Sequence, residues 1–251
     1  MKVFFSDLDN TLIYSHRQQI EDSKVLVELL NGKEQSYMTE FTYSFLKGAD
    51  WLSMIPVTTR SQEQYRRLLF PETFHIKYAL ICNGGKLLVN GTESQEWSKE
   101  TLEMTQNDLP DLEMLSRRLQ DLCAYEVRRP ECYYHYAKAD EPGRICDALR
   151  KVYEKKNIII EHDRSKVYLF PRNINKGEAV RRFSKMYGVA FSVAAGDSSI
   201  DLPMLCAVDH PLIPTALNEA EHIPNATALA GRIISDQICR ELDRLHENGN
   251  L

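Results

Sequence analysis

Four short apolar runs that stop abruptly at polar residues constrain this chain more than any other feature. Val3-Phe4-Phe5 stops at Ser6-Asp7-Leu8-Asp9, residues 51–57 at Thr58-Thr59-Arg60, residues 78–82 at Asn83-Gly84-Gly85, and residues 189–195 at Gly196-Asp197. Runs this short, without polar alternation, suit strands covered on both faces, as in a parallel sheet with helices on each side. Helical segments lie between them. Residues 40–47 end at Gly48, Ser61 and Gln64 form a capping-box pair, and residues 177–187 put Ala179, Val180, Phe183 and Met186 on one face before Gly188. A closing helix carries Ile234, Ile238, Leu242 and Leu245 as its apolar stripe. Asn31-Gly32, between residues 24–30 and 34–39, predicts a hairpin.

From about residue 86 to 171 the pattern changes. Helical stretches at 112–122 and 144–155 are each followed by a pair of strand candidates, 125–129 with 133–138 and 158–162 with 167–170. That layout predicts an α+β unit with an antiparallel sheet. The expected architecture is α/β: a Rossmann-like parallel sheet core assembled from residues 1–82 and 173–251, with an α+β domain inserted over 83–172.

Charge excludes some partners. With 31 basic against 36 acidic side chains in 251 residues the net charge is −5, and no basic run offers a footprint for nucleic acid or an anionic membrane. A small anionic ligand needs only a local positive site and stays open. No apolar stretch approaches the roughly 18 residues of a membrane span. Nothing near the N-terminus forms a signal-peptide core, and the six cysteines are scattered without a C-x-x-C pair. These features predict a cytoplasmic protein with reduced thiols.

In parallel α/β sheets, ligands bind beyond the carboxyl ends of the strands. The run ends would bring together Asp7, Asp9, Thr58, Asp197 and Asp201, with Lys176 opening a helix nearby. Each has an ordinary explanation alone: Asp9-Asn10-Thr11 is good turn chemistry, and an isolated lysine is usually solvated. Their joint occurrence, each at the end of an apolar run, points to chemistry. Four converging carboxylates repel one another unless a hard cation with oxygen ligands, Mg²⁺ above all, sits among them. Thr58 and Lys176 supply the hydroxyl donor and fixed positive charge that a phosphoryl group requires. The seven histidines show no ligand spacing, which argues against zinc.

Taken in order, Asp7-Leu8-Asp9-Asn10-Thr11, Thr58, Lys176 and Gly196-Asp197-Ser198-Ser199-Ile200-Asp201 resemble the four signature motifs of the haloacid dehalogenase superfamily. The resemblance spans the whole chain. The inserted unit is similar in position and layout to the family's C2 cap, in the C2B variety of Cof-like, sucrose-phosphatase-like and mannosyl-phosphoglycerate-phosphatase-like members. The resemblance implies that Asp7 is a nucleophile forming an aspartyl phosphate. It implies that Asp9 protonates the leaving group and then activates water. Mg²⁺ would be held by Asp7, the Asp9 backbone carbonyl and Asp197, with Asp201 in support. Thr58 and Lys176 would bind phosphoryl oxygens, and Asn83 and Gly84 would line the substrate entrance. Two positions depart from the Cof-like pattern: Asn10 and Thr59 both stand where glycine is usual. Asn10 tolerates positive φ, whereas Thr59 leaves open which threonine meets phosphate.

The expected activity is therefore Mg²⁺-dependent hydrolysis of a small phosphorylated metabolite, with sugar phosphates among the candidates. Arg128, Arg129, Tyr133, Tyr134, His135, Tyr136 and Lys138 are the residues of the inserted unit that stand as candidates for contact with the rest of the substrate. A phosphomutase would use the same residues and return the phosphoryl group to substrate. A phospho-acceptor switch domain would keep it, and the second aspartate at Asp9 argues against that reading.

Overall fold

The computed structural model describes residues 1–20 and 23–251. In chain order the strands are β1 (Lys2–Ser6), β2 (Tyr14–Ser15), β3 (Lys24–Leu30), β4 (Lys33–Thr39), β5 (Met54–Pro56), β6 (Tyr78–Ile81), β7 (Lys86–Val89) and β8 (Thr92–Glu93). They continue with β9 (His135–Lys138), β10 (Ile158–Asp163), β11 (Lys166–Pro171), β12 (Phe191–Ala195), β13 (His210–Pro214) and β14 (Thr227–Leu229). The helices are α1 (Glu40–Gly48), α2 (Gln62–Tyr65), α3 (Gln95–Thr105), α4 (Leu109–Leu122) and α5 (Pro142–Val152), then α6 (Lys176–Tyr187), α7 (Leu202–Leu205), α8 (Thr215–Glu221) and α9 (Ser235–Glu247). No helix among the described residues is long and apolar enough to cross a membrane.

The core is a parallel sheet in the order β14-β13-β12-β1-β5, with β1 second from the β5 edge. A further parallel bridge, Val57 to Leu80, carries it towards β6. Register decides where the chemistry goes. Ser6 pairs with Ala195 on one side and Pro56 on the other, so the ends of β1, β5 and β12 are level and release Asp7, Thr58 and Asp197 along one edge. Alternation along β1 sends Val3 and Phe5 into one apolar cluster and Phe4 into the other, covering both faces of the sheet. All three side chains are fully buried, each stabilising the fold by about 1.5–3 kcal/mol.

Local signals hold where they are strong. Ser61 and Gln64 form the expected capping box, Gly188 ends α6 with φ +64°, and Asn31-Gly32 closes β3 on β4 with both φ values positive. Ile234, Ile238, Leu242 and Leu245 are all buried. Two expectations fail. Residues 125–129 do not form a strand; a single bridge joins Arg128 to Tyr136, because Pro130 opens a 3₁₀ turn in which Glu131 has φ +51°. The inserted sheet is accordingly three-stranded, β10-β11-β9. Met186 is exposed, and Tyr187 packs against Phe183 and Tyr78 instead.

Leu87 and Trp97, in the segment the sequence assigns to the insert, sit in the cluster of Val3, Phe5 and Phe183. Trp97 donates from Nε1 to the Gly84 carbonyl at 3.0 Å and lies under the Arg182 guanidinium, 3.9 Å from its ring centroid. A separate cluster begins at Leu112 and runs through Leu149 to Leu169.

The first turn of α6 leaves no room at Gly177, where a Cβ would stand 2.1 Å from the Pro203 carbonyl oxygen. Gly177→Ala should therefore push α6 off α7 and lower stability by about 1–3 kcal/mol, the usual range for overpacking. Thermal melting of the two proteins side by side checks this.

Candidate active site

Asp7 leaves β1 with its backbone N–H donating to the Ala195 carbonyl at 2.9 Å, so its position follows from the sheet itself. Its side chain is buried; Oδ1 receives Lys176 Nζ at 2.5 Å and Oδ2 receives the Thr11 hydroxyl at 3.3 Å. Lys176 is the first residue of α6, whose N-cap Asn175 accepts from Glu178 N. Its ammonium, 2% exposed, bridges Asp7 and Asp201 at 2.5 Å each. The other Asp201 oxygen accepts from Asp197 N, Ser198 N and the Ser198 hydroxyl at 3.0–3.1 Å. That turn closes only because residue 196 is glycine: a Cβ there would lie 2.4 Å from the Asp201 Cβ.

Three acids meet around one lysine. One oxygen from each of Asp7, Asp197 and Asp201 lies within 4.8 Å of the others. Burial raises the Asp7 carboxyl; Lys176 pulls it down and Asp201 and Asp9 push it up, leaving it at about 7. Asp197 is raised by burial and then by Asp7 and Asp201, against Arg164, to about 8. A cluster in which the Asp7 and Asp197 carboxyls are raised in this way has the donor set of a hard divalent cation, which would reverse the repulsion. Asp201, with both oxygens already engaged, is suited to bracing Asp197 and Lys176.

Asp9 lines the cavity with its side chain 47% exposed. Arg60 holds it with Nε to Oδ2 and Nη2 to Oδ1, both at 2.8 Å. Burial works to raise the Asp9 carboxyl, but the charge and hydrogen bonds of Arg60 outweigh it and hold it below the usual carboxylate range. Asn10 adopts φ +67° as the loop requires and accepts from Gln18 at 2.8 Å.

Other expected residues are placed elsewhere. Thr58 is wholly buried, its hydroxyl accepting from Arg60 N at 3.2 Å, while Thr59 lines the cavity. Asn83, with φ +57°, is buried and donates to the Ile174 carbonyl; Gly84 packs on Ala179. Neither is among the residues that line the cavity; both pack against the start of α6.

The cavity has a volume of about 340 Å³. Its wall from the inserted unit is the β10–β11 turn (Asp163, Arg164, Ser165 and Lys166) with Tyr134, Tyr136 and Tyr168. Arg164 reaches Asp197 at 3.3 Å, and Tyr134 donates its hydroxyl to the Thr59 carbonyl. Of the aromatic and basic candidates in this unit, Tyr134 and Tyr136 reach the cavity; Tyr133 and His135 are buried away from it, and Arg129 pairs with Glu113. Arg60, Glu28 and the β10–β11 turn were not read from sequence as site residues. A lone glutamate inside the apolar stretch Val25-Leu26-Val27-Glu28-Leu29-Leu30 was the available signal.

The family model for haloacid dehalogenase-like hydrolases matches residues 72–223, more than half of the chain. Among curated proteins none matches at a significant level. Solved structures similar in fold include the sucrose-phosphatase of Synechocystis sp. PCC6803, seen in complex with sucrose and phosphate (14% identity, 97% of each chain covered, TM-score 0.67). They also include the HAD subclass IIB sugar phosphatase BT4131 (12% identity, 100% of each chain, TM-score 0.59). A haloacid dehalogenase-like hydrolase from B. subtilis is similar at 16% identity, over 96% of this chain and 100% of its own, with a TM-score of 0.61.

Proposed function

The chain belongs to the haloacid dehalogenase-like hydrolases, and on that footing we propose that it is a Mg²⁺-dependent phosphatase acting on a small phosphorylated metabolite, sugar phosphates first. The observation that carries this is Asp7: a buried carboxylate at the end of β1, held through one oxygen by Lys176, lining a cavity that a second, half-exposed carboxylate, Asp9, also lines.

In the proposed reaction the active form first carries a proton on Asp9, taken up against the pull of Arg60. An Asp7 oxygen then attacks phosphorus and the bond to the leaving oxygen breaks as Asp9 gives that oxygen the proton. Asp9, now ionised, takes a proton from water as the water oxygen attacks phosphorus. The bond to Asp7 then breaks, giving inorganic phosphate and the original carboxylate. Splitting the displacement into two transfers is the benefit of a covalent step. Lys176 keeps Asp7 aimed and lends positive charge near the phosphoryl oxygens. Mg²⁺, held by Asp7, Asp197 and the Asp9 carbonyl with Asp201 behind them, would neutralise charge on the transferring group. Thr59, which lines the cavity, is preferred over Thr58 as the hydroxyl that meets phosphate. The rings of Tyr136 and Tyr168 and the β10–β11 turn are proposed to face the rest of the substrate.

We also propose that the cap of this enzyme begins with α4 and ends with β11, since Leu87 of β7 and Trp97 of α3 pack with the core cluster and a separate cluster begins at Leu112. The test of function is a phosphate-release screen over sugar, polyol, nucleotide and phosphoglycerate esters, with and without chelator. Stoichiometric inorganic phosphate, lost on chelation and restored by Mg²⁺, is expected. Full activity after exhaustive chelation would remove the metal from the scheme, and conversion of substrate to an isomer without phosphate release would make the enzyme a mutase.

A further inference from the structure

We propose that Glu28, on the β3–β4 hairpin, is a positioning residue for Asp9 and acts through Arg60. The inference rests on the phosphatase reading above, in which Asp9 is the acid and base.

The hairpin is irregular at this residue. Pairing of β3 with β4 slips on either side of Glu28, between Leu26 and Glu28 and again between Glu28 and Leu29. A regular strand would send Val27 and Glu28 to opposite faces; the bulge lets both be buried. Bulges of this kind re-aim a side chain and are frequent beside active sites. The side chain so aimed is a carboxylate, 5% exposed, which is costly to bury without partners. It has three: Arg60, the Ser36 hydroxyl at 2.6 Å, and Arg67 at 3.3 Å.

Arg60 presents one edge to each carboxylate. Nη1 and Nη2 meet the two Glu28 oxygens at 2.9 Å, while Nε and Nη2 meet the two Asp9 oxygens at 2.8 Å. A planar guanidinium bonded in this forked way fixes the plane of each partner as well as its distance. Asp9 is the half-exposed end of this line and Glu28 the buried end. Orientation is thus passed from the hairpin, through Arg60, to the group that must meet the leaving oxygen. Small misplacement of such a group costs up to ~10²-fold in rate.

The test compares wild type, Glu28→Gln and Ser36→Ala, each as the full chain in Mg²⁺, on an aryl and an alkyl phosphate by rapid quench and steady state. Glu28→Gln should lower alkyl-ester turnover by about 10–100-fold. With the aryl ester it should show a burst of the released phenol at near wild-type rate, followed by slow turnover, because only steps that need Asp9 are impaired. Ser36→Ala, which removes one of the two donors to Glu28 Oε2 and leaves Arg60 as the other, should change the same ratio by a few-fold, with a melting temperature close to wild type. Loss of burst rate and turnover in equal proportion would mark a merely structural role and overturn the proposal, as would wild-type kinetics in Glu28→Gln. Should Glu28→Gln fail to fold, Ser36→Ala decides alone, wild-type kinetics there overturning the proposal. A wild-type protein that releases phosphate from neither ester would instead overturn the phosphatase reading itself.

Discussion

Asp7→Asn is expected to abolish turnover, by about 10⁴-fold or more, as loss of a covalent nucleophile does elsewhere. The amide keeps the shape of the carboxylate and can still accept from Lys176, but it does not attack phosphorus. Its effect on the fold should be opposite in sign. The Asp7 carboxyl is raised from 3.8 to about 7 by burial, with Asp201 and Asp9 working against Lys176. A raised carboxyl is one the fold holds protonated, so in metal-free buffer its ionisation takes stability away as pH rises from about 4 to about 7. Asparagine does not titrate and escapes that loss. Metal-free Asp7→Asn should thus melt no lower than wild type at pH 8, and relatively higher than it does at pH 5. Residual turnover near the wild-type level would mean that another residue attacks.

Asp9→Asn should divide the reaction in two. The nucleophile remains, so an aryl phosphate, whose leaving group needs no proton, should still phosphorylate the enzyme. Water then lacks its base, a loss of ~10²–10⁴-fold. An acid-stable, alkali-labile phosphoenzyme should accumulate with the aryl ester. With an alkyl ester the first step slows as well, since the alkoxide leaves without its proton. The same variant also weakens one edge of Arg60, where the amide oxygen can accept only part of what the carboxylate did, while Glu28 and the Gln64 carbonyl still hold the guanidinium. Rapid quench on both esters is the measurement; equal and small losses on the two would remove Asp9 from acid–base chemistry.

Much of the site was legible because its residues lie where apolar runs end, and a parallel sheet makes those ends converge whatever the details of packing. Asp7, Asp9, Asp197 and Asp201 stood out as candidates by that rule and their charge, Lys176 by opening a helix, and the roles proposed for them came from the resemblance. Arg60 was visible as a residue but not as a partner of Asp9, 51 positions away. Thr58 and Thr59 were indistinguishable in sequence because side chains alternate along a strand end, and one residue of register decides which is buried and which faces the cavity.

What the sequence determined by itself is the periodicity, the caps and the turn residues, because these depend on neighbours within about four positions. The α/β core, the capping box of α2, the left-handed Gly188 and the hairpin at Asn31-Gly32 belong to that class. Tertiary structure alone decided the rest. It put Leu87 of β7 and Trp97 of α3 into the cluster of Val3, Phe5 and Phe183. It also turned Glu28 inward with a bulge that no local propensity announces. Burial of a tryptophan, pairing of a strand edge and neutralisation of a buried carboxylate are all satisfied by residues distant in the chain. Their free energies therefore exist only once the chain has closed on itself.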